Sequence, residues 1–275
     1  MKNLWLHVYA WLVAAGFVYL EVTGAIVAGQ EGTPPAPHRI VASAVAVLVL
    51  GLGIWLAAAE KRAWLKRAGW ITVAGVVVDA GLGEMSGPAS PMASMLHAFL
   101  APMLLALLVA IATGTSKSWQ HPPVCLPDKG WPSLRGVARN TLILVVIQVA
   151  LGALFRYDVI GVMTHIIGAL VVAVFILTLV VLVTMMPEHP TLRPAAITLG
   201  VVIFVQIFLG LTVVSMGSAK TNQAAALVFG VAHVVLGAIT LATTLVVTLE
   251  TWRCVRSGLD LVVADQAPEG NNPQP

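Results

Sequence analysis

What most limits the folds open to this chain is a run length. Apolar residues come in eight stretches, at about 4–28, 38–59, 68–85, 93–113, 138–156, 162–186, 195–216 and 226–250. A helix that crosses a bilayer needs about 20 such residues. Lipid offers the backbone no hydrogen bonds, so a spanning segment is a helix or part of a closed barrel. Barrel strands are short and alternate in polarity, whereas these runs are long and continuous, so each is read as a helix. Only 10% of the residues are charged, against about a quarter in soluble domains. A soluble globular enzyme, a disordered chain and a nucleic-acid-binding domain are excluded. The net charge of +3 implies no nucleic acid, because the basic residues sit in short loops between apolar runs. The expected fold class is an all-α integral membrane protein with the lipid bilayer as its first partner.

The Lys and Arg residues set the expected orientation. Twelve of the fifteen fall on the side that holds both termini, among them Lys61, Arg62, Lys66, Arg67, Arg135 and Arg139. Arg39, Arg156 and Lys220 fall on the other. The positive-inside rule then puts both termini in the cytoplasm of an inner, cytoplasmic membrane. Seven tryptophans, from Trp5 to Trp252, lie near that same interface as anchors. The opening apolar run is too long for a cleavable signal. Cys125 and Cys254 fall on the reducing side, and no disulfide is expected.

The chain reads as doubled. An N-terminal four-helix bundle over 1–113 and a C-terminal one over 138–252 flank a cytoplasmic linker over 114–137. Residues 253–275 are expected to be a disordered cytoplasmic tail. Gln148-Val-Ala-Leu-Gly152 in the fifth run repeats as Gln206-Ile-Phe-Leu-Gly210 in the seventh. Four spans per half is an even number, so both halves enter from one side and the repeat is parallel.

Histidines carry the functional signal. His38, His97, His165 and His233 each stand near the outer end of an even-numbered run, while His7, His121 and His189 lie towards the cytoplasmic side. One such histidine would be a helix-packing hydrogen bond. Four at one depth, two per half, fit paired axial ligands of a haem sandwiched in a helical bundle. The pairs would be His38 with His97 and His165 with His233. Zinc would want three or four converging ligands. Small residues near these positions, such as Ala42, Gly168, Gly230 and Gly237, suit either a flat ring or close helix packing.

Outer-side charges differ between the halves. Arg156 and Lys220 of the second half, and Arg39 of the first, could pair with haem propionates. Glu21 and Asp79 sit deep in apolar sequence, where an ionisable group is costly and usually functional.

Together these strings resemble haem A synthase. Val22-Thr23-Gly24-Ala25 followed by His38-Arg39 is similar to the family's first hairpin. Gln148-x-x-Leu-Gly-Ala-x-x-Arg156 followed by His165 resembles its third. Gln206-x-x-Leu-Gly-x-Thr-Val213 followed by His233 resembles its fourth. The resemblance spans roughly residues 5 to 250. It implies oxidation of a methyl group of haem O to a formyl group, giving haem A for terminal oxidases. It also implies a resident haem b on His165 and His233, with Arg156 at its rim, and substrate haem O on His38 and His97. Family members commonly place a glutamate three residues before the first of these histidines, and many carry outer-loop cysteine pairs. Here that position is Pro35 and the cysteine pairs are absent, so Glu21 or Glu31 would have to supply the carboxylate, and Glu21 is the better candidate. Implied partners are a haem O donor enzyme, a terminal oxidase, a quinol or other electron donor, and a further copy of the chain. The rival readings are a non-catalytic b-type cytochrome subunit of a respiratory assembly and a transporter. A transporter would show broken helices with midplane charges.

Overall fold

The computed structural model describes residues 2–29, 36–87, 89–128, 130–219 and 222–257. It contains α1 (Lys2–Ala28), α2 (Ala36–Ala59), α3 (Ala63–Met85), α4 (Pro91–Gly114), α5 (Leu134–Arg156), α6 (Val162–Met185), α7 (Leu192–Ala219) and α8 (Gln223–Cys254). All eight are long and apolar enough to cross a membrane. The chain is an all-α eight-helix membrane protein. Each apolar run became a helix, but several helices outrun the apolar stretch. α3 begins at Ala63 rather than 68, through Trp64, Lys66 and Arg67, and α5 begins at Leu134 rather than 138. Hydropathy marks where charge begins, whereas backbone hydrogen bonding continues to the next cap. For α5 that cap is Ser133, whose Oγ accepts from Gly136 N–H at 3.2 Å, and for α8 it is Asn222, whose Oδ1 accepts from Ala225 N–H at 3.1 Å.

In the first half α1 packs on α2 and α4, and α3 bridges α2 and α4, closing a ring of four helices. α5 to α8 close the same ring. The halves meet through α4 against α8, flanked by α1 on α8 and α5 on α4. Exchanging the halves exchanges those flanking contacts, as a twofold axis along the membrane normal requires. The cores follow the same rule. One gathers Phe17, Leu52, Leu56 and Leu105 and takes in Ala238 of α8; the other gathers Ile176, Leu179, Leu199 and Leu241 and takes in Ala106 of α4. Lipid gives no hydrophobic drive between helices, so close backbone approach matters. On the α2–α3 seam a Cβ added at Gly69 would stand 3.5 Å from Gly53 Cα. On α8 the buried Thr240, Thr244, Thr248 and Thr251 return their hydroxyls to carbonyls one turn back.

The end of the molecule away from the four histidines is tied by the linker. Trp119 Nε1 donates to the buried Glu250 at 2.5 Å, and the Arg253 guanidinium lies 4.9 Å over the Trp119 ring. Arg62 donates to Trp119 O at 3.1 Å, His189 Nε2 to Val124 O at 3.2 Å, and His7 Nδ1 to Ala112 O at 2.9 Å. Cys125 is exposed, and Cys254 is buried with its thiol towards Glu250 at 3.5 Å.

The tail starts later than residue 253. Arg253 and Cys254 complete α8, and Val255–Ser257 form strand β2, parallel to strand β1 (Leu126–Asp128) of the linker. Val255 is buried and the linker strand offers a free edge, so a segment read as disordered gains a hydrogen-bonded ladder instead. Glu31, Pro35, Lys129, Lys220 and the tail from 258 lie outside the described residues.

Candidate functional site

Each of the four histidine rings lies on a glycine of the preceding helix. His38 of α2 rests on Gly24 of α1, His97 of α4 on Gly83 of α3, His165 of α6 on Gly152 of α5, and His233 of α8 on Gly210 of α7. A Cβ added at these glycines would meet the ring Cε1 at 3.2, 3.3, 3.3 and 3.0 Å respectively. Those are tighter than ordinary contacts, so the missing side chain is what lets the ring in. All four rings are half-buried, keeping part of their surface accessible. His97 and His233 stand further into their helices than the apolar runs suggested. They are the seventh and eleventh residues of α4 and α8, because those helices begin early, at Pro91 and Gln223.

A polar group from the same odd helix addresses Nδ1 in three of the four units. Thr23 Oγ spends its own hydrogen on Leu20 O at 2.9 Å, so the His38 Nδ1–H donates to it, also at 2.9 Å. The His97 Nδ1–H donates to Asp79 Oδ1 at 2.9 Å and to the Asp79 carbonyl at 3.1 Å. A carbonyl can only accept, which fixes the proton on Nδ1 and leaves Nε2 with a lone pair. In the second half the Gln148 carboxamide nitrogen donates to His165 O at 2.9 Å and stands 3.0 Å from His165 Nδ1. His233 Nδ1 faces the Gln206 backbone and lacks a hydrogen-bond partner among the described residues. Asp79, Gln148 and Gln206 each stand four residues before the glycine of their helix.

The predicted pairs are brought together within each half. The His165 and His233 rings are edge to face, with centroids 6.3 Å apart and planes at 83°, and Phe155 stacks on the other side of His165 at 5.9 Å. In the first half His38, His97, Asp79 and Glu21 lie within electrostatic reach of one another. Glu21 is buried, and its Oε1 has no hydrogen-bond partner among the described residues.

The rim arginines separate. Arg39 is committed to Glu84 at 3.2 Å, an exposed ion pair, and does not approach Glu21. Arg156 ends α5 exposed, with no ion pair to a described residue. Gly168 and Gly237 have a use other than making room for a flat ring. A Cβ at Gly168 would collide with Gln148 Oε1, and one at Gly237 would stand 3.2 Å from Gln206 Nε2. The missed residues are Gly83 and the bond from Asp79 to His97. Their signal was the four-residue spacing shared with Gln148…Gly152 and Gln206…Gly210, hidden by the change from amide to carboxylate.

Geometry and chemistry can be set against the requirements of a haem iron. An axial imidazole needs an unprotonated Nε2, and His38 and His97 have it. In the second half the amide orientation leaves the His165 proton on Nε2. Turning the Gln148 carboxamide over would offer its unpartnered Oε1 to Nδ1–H and free Nε2, at the cost of the bond that the amide nitrogen now donates to His165 O. Two imidazoles on opposite sides of one metal, each nitrogen about 2 Å from it, have centroids about 6 Å apart, close to the 6.3 Å seen. The residues therefore fit the group. The same spacing suits plain edge-to-face packing, so haem content is the measurement that separates the two.

The class that fold and site define is an eight-helix membrane protein with a histidine pair in each four-helix half. No protein-family model and no curated protein matches this chain.

Proposed function

We propose that the chain is a haem A synthase-like oxidoreductase that oxidises the methyl group of haem O to give haem A for terminal oxidases. The observation that carries this reading is where unsatisfied polarity collects. Glu21 Oε1, Gln148 Oε1, Gln206 Oε1 and His233 Nδ1 are buried without partners among the described residues, and all four belong to the two histidine clusters. Buried polar atoms left unpaired are costly and call for a ligand, an ion or water.

His165 and His233 would hold a resident haem b, with Arg156 available to its propionates, and His38 and His97 would hold haem O. Haem supplies one-electron and oxygen chemistry when bound. The chain itself supplies orientation and proton handling. Thr23 and Asp79 keep the Nε2 atoms of His38 and His97 unprotonated and aimed. Glu21, buried beside them, is positioned to exchange a proton with a substrate in the first half, the task of the residue replaced at Pro35. The enzyme would sit in a cytoplasmic membrane with both termini inside, receiving electrons from a quinol or similar donor.

A b-type cytochrome subunit is the second reading. It keeps the histidines but leaves the buried Glu21 unexplained. Purified protein should give a pyridine haemochrome spectrum with haem B plus haem O or A, and His165→Ala should remove the b-type absorbance. Haem B alone, with no haem A made by a strain that depends on this protein, would establish the cytochrome reading. Absence of any haem would end both.

A further inference from the structure

Three of the four ring-on-glycine units carry a polar side chain four residues before the glycine. In α5 and α7 that side chain is an amide, and in α3 it is the carboxylate of Asp79. Asp79 is 6% exposed, and both its Oδ1 and its carbonyl accept from the one Nδ1–H of His97, at 2.9 and 3.1 Å. The other rings get nothing comparable. His38 donates to a neutral hydroxyl, His165 faces an amide nitrogen, and His233 Nδ1 has no partner among the described residues. The rim cation of this half, Arg39, is held by Glu84 outside the cluster.

Resting on the haem reading above, we propose that Asp79 is a positioning residue that makes His97 the strongest electron donor of the four imidazoles. The first half then holds its iron in the oxidised state more firmly than the second half does. A carboxylate behind a ligating imidazole fixes the ring and raises its basicity, and hydrogen bonding behind the axial ligand is a main lever on haem potential. In a water-poor bundle the charge on that acceptor is little screened. The two halves are thereby poised differently by one side chain in a shared position. Electrons leave the second half for the first only against this offset, unless a further reaction at the first half draws them.

The test uses the full-length protein in detergent with the haem it carries. The measurements are haem content, potentiometric titration and the ferric electron paramagnetic resonance spectrum. Asp79→Asn keeps an acceptor for Nδ1–H and removes the charge. It should raise the first-half midpoint by at least ten-fold in the reduced-to-oxidised ratio, about 59 mV for one electron, and shift its ferric signal, leaving the second half unchanged. His165→Ala, which removes the second-half haem, assigns the signals. A strut that merely joins α3 to α4 would leave potential and spectrum in place. Gln148→Glu puts the carboxylate in the second half and should lower that midpoint by a similar factor; it decides the matter if Asp79→Asn does not fold. Wild type with haem but unmoved midpoints in the variants overturns the role of Asp79 alone. Wild type without haem overturns the haem reading, and this proposal with it.

Discussion

Thr23 and Asp79 accept hydrogen bonds from the Nδ1–H groups of His38 and His97, so the first half has two imidazoles with free Nε2 atoms and two buried carboxyl groups beside them. The second half has the same rings on the same glycines, but its neighbours are Gln148 and Gln206, and Phe155 stacks on His165. One backbone plan therefore carries two kinds of surroundings, carboxyl groups in one half, amides and an aromatic ring in the other. The plan sets where a ligand can be held, and the side chains one turn from each glycine set what can be done to it. On the proposed reading the first half does chemistry and the second half holds a cofactor.

Glu21→Gln should separate the halves most. We expect haem A formation to fall by at least ~100-fold, the scale of losing a general acid or base, with bound haem unchanged. Gln148→Leu should cost under ~10-fold. Haem types extracted from membranes of a dependent strain measure both, and equal losses would end the assignment of chemistry to the first half.

Gly210→Val comes next. Its Cβ would start 3.0 Å from the His233 ring, so second-half haem occupancy should fall several-fold. Gly81→Val, on a site with nothing within 4 Å, should leave occupancy intact. The rim offers a smaller contrast. Arg156→Ala should weaken haem retention about two- to five-fold through lost propionate pairing, as followed by transfer to apomyoglobin. Arg39→Ala should do little, since Glu84 already occupies that guanidinium.

The smallest contrast lies in the loops at the far end. Hydrogen bonds from Arg62 hold the Glu60 carboxyl down at about 2, well below its ordinary 4.5. A depressed carboxyl stabilises the fold above its unfolded value and loses that contribution as pH falls through the folded one. Glu60→Gln should therefore melt a few degrees lower than wild type at pH 6, with the gap closing between pH 4.5 and 2. Glu188→Gln, at a side chain 88% exposed opposite Arg193, should leave the pH 6 melting temperature nearly unchanged, as an exposed ion pair contributes little. Thermal melts in detergent decide it.

The eight helices were legible because lipid permits one solution for a long apolar run, and the histidines because they recur near the outer ends of even runs. The glycine seats were half legible. Gln148…Gly152 and Gln206…Gly210 stood out as a repeat, and the resemblance set His165 and His233 after them, but no shared spacing told that each ring rests on its glycine, since the histidines follow at unequal distances of 13 and 23 residues. Asp79…Gly83 escaped because the side chain differs while the spacing does not. The fate of Arg39 was hidden because pairing at a rim depends on where the next helix ends, and Glu84 closes α3 beside it. The order of residues 253–257 was hidden because a three-residue strand has no periodicity to read.

The pairing of β1 with β2 has a consequence for how the molecule is made. Val255 follows its partner Leu126 by 129 residues. At about 5–20 residues per second, the ribosome delivers the second strand roughly 6 to 26 s after the first. Both four-helix rings can therefore be threaded into the bilayer while the linker strand waits unpaired. The residues after α8 then fasten the linker to the end of that helix, so this contact forms only once all eight helices have been made.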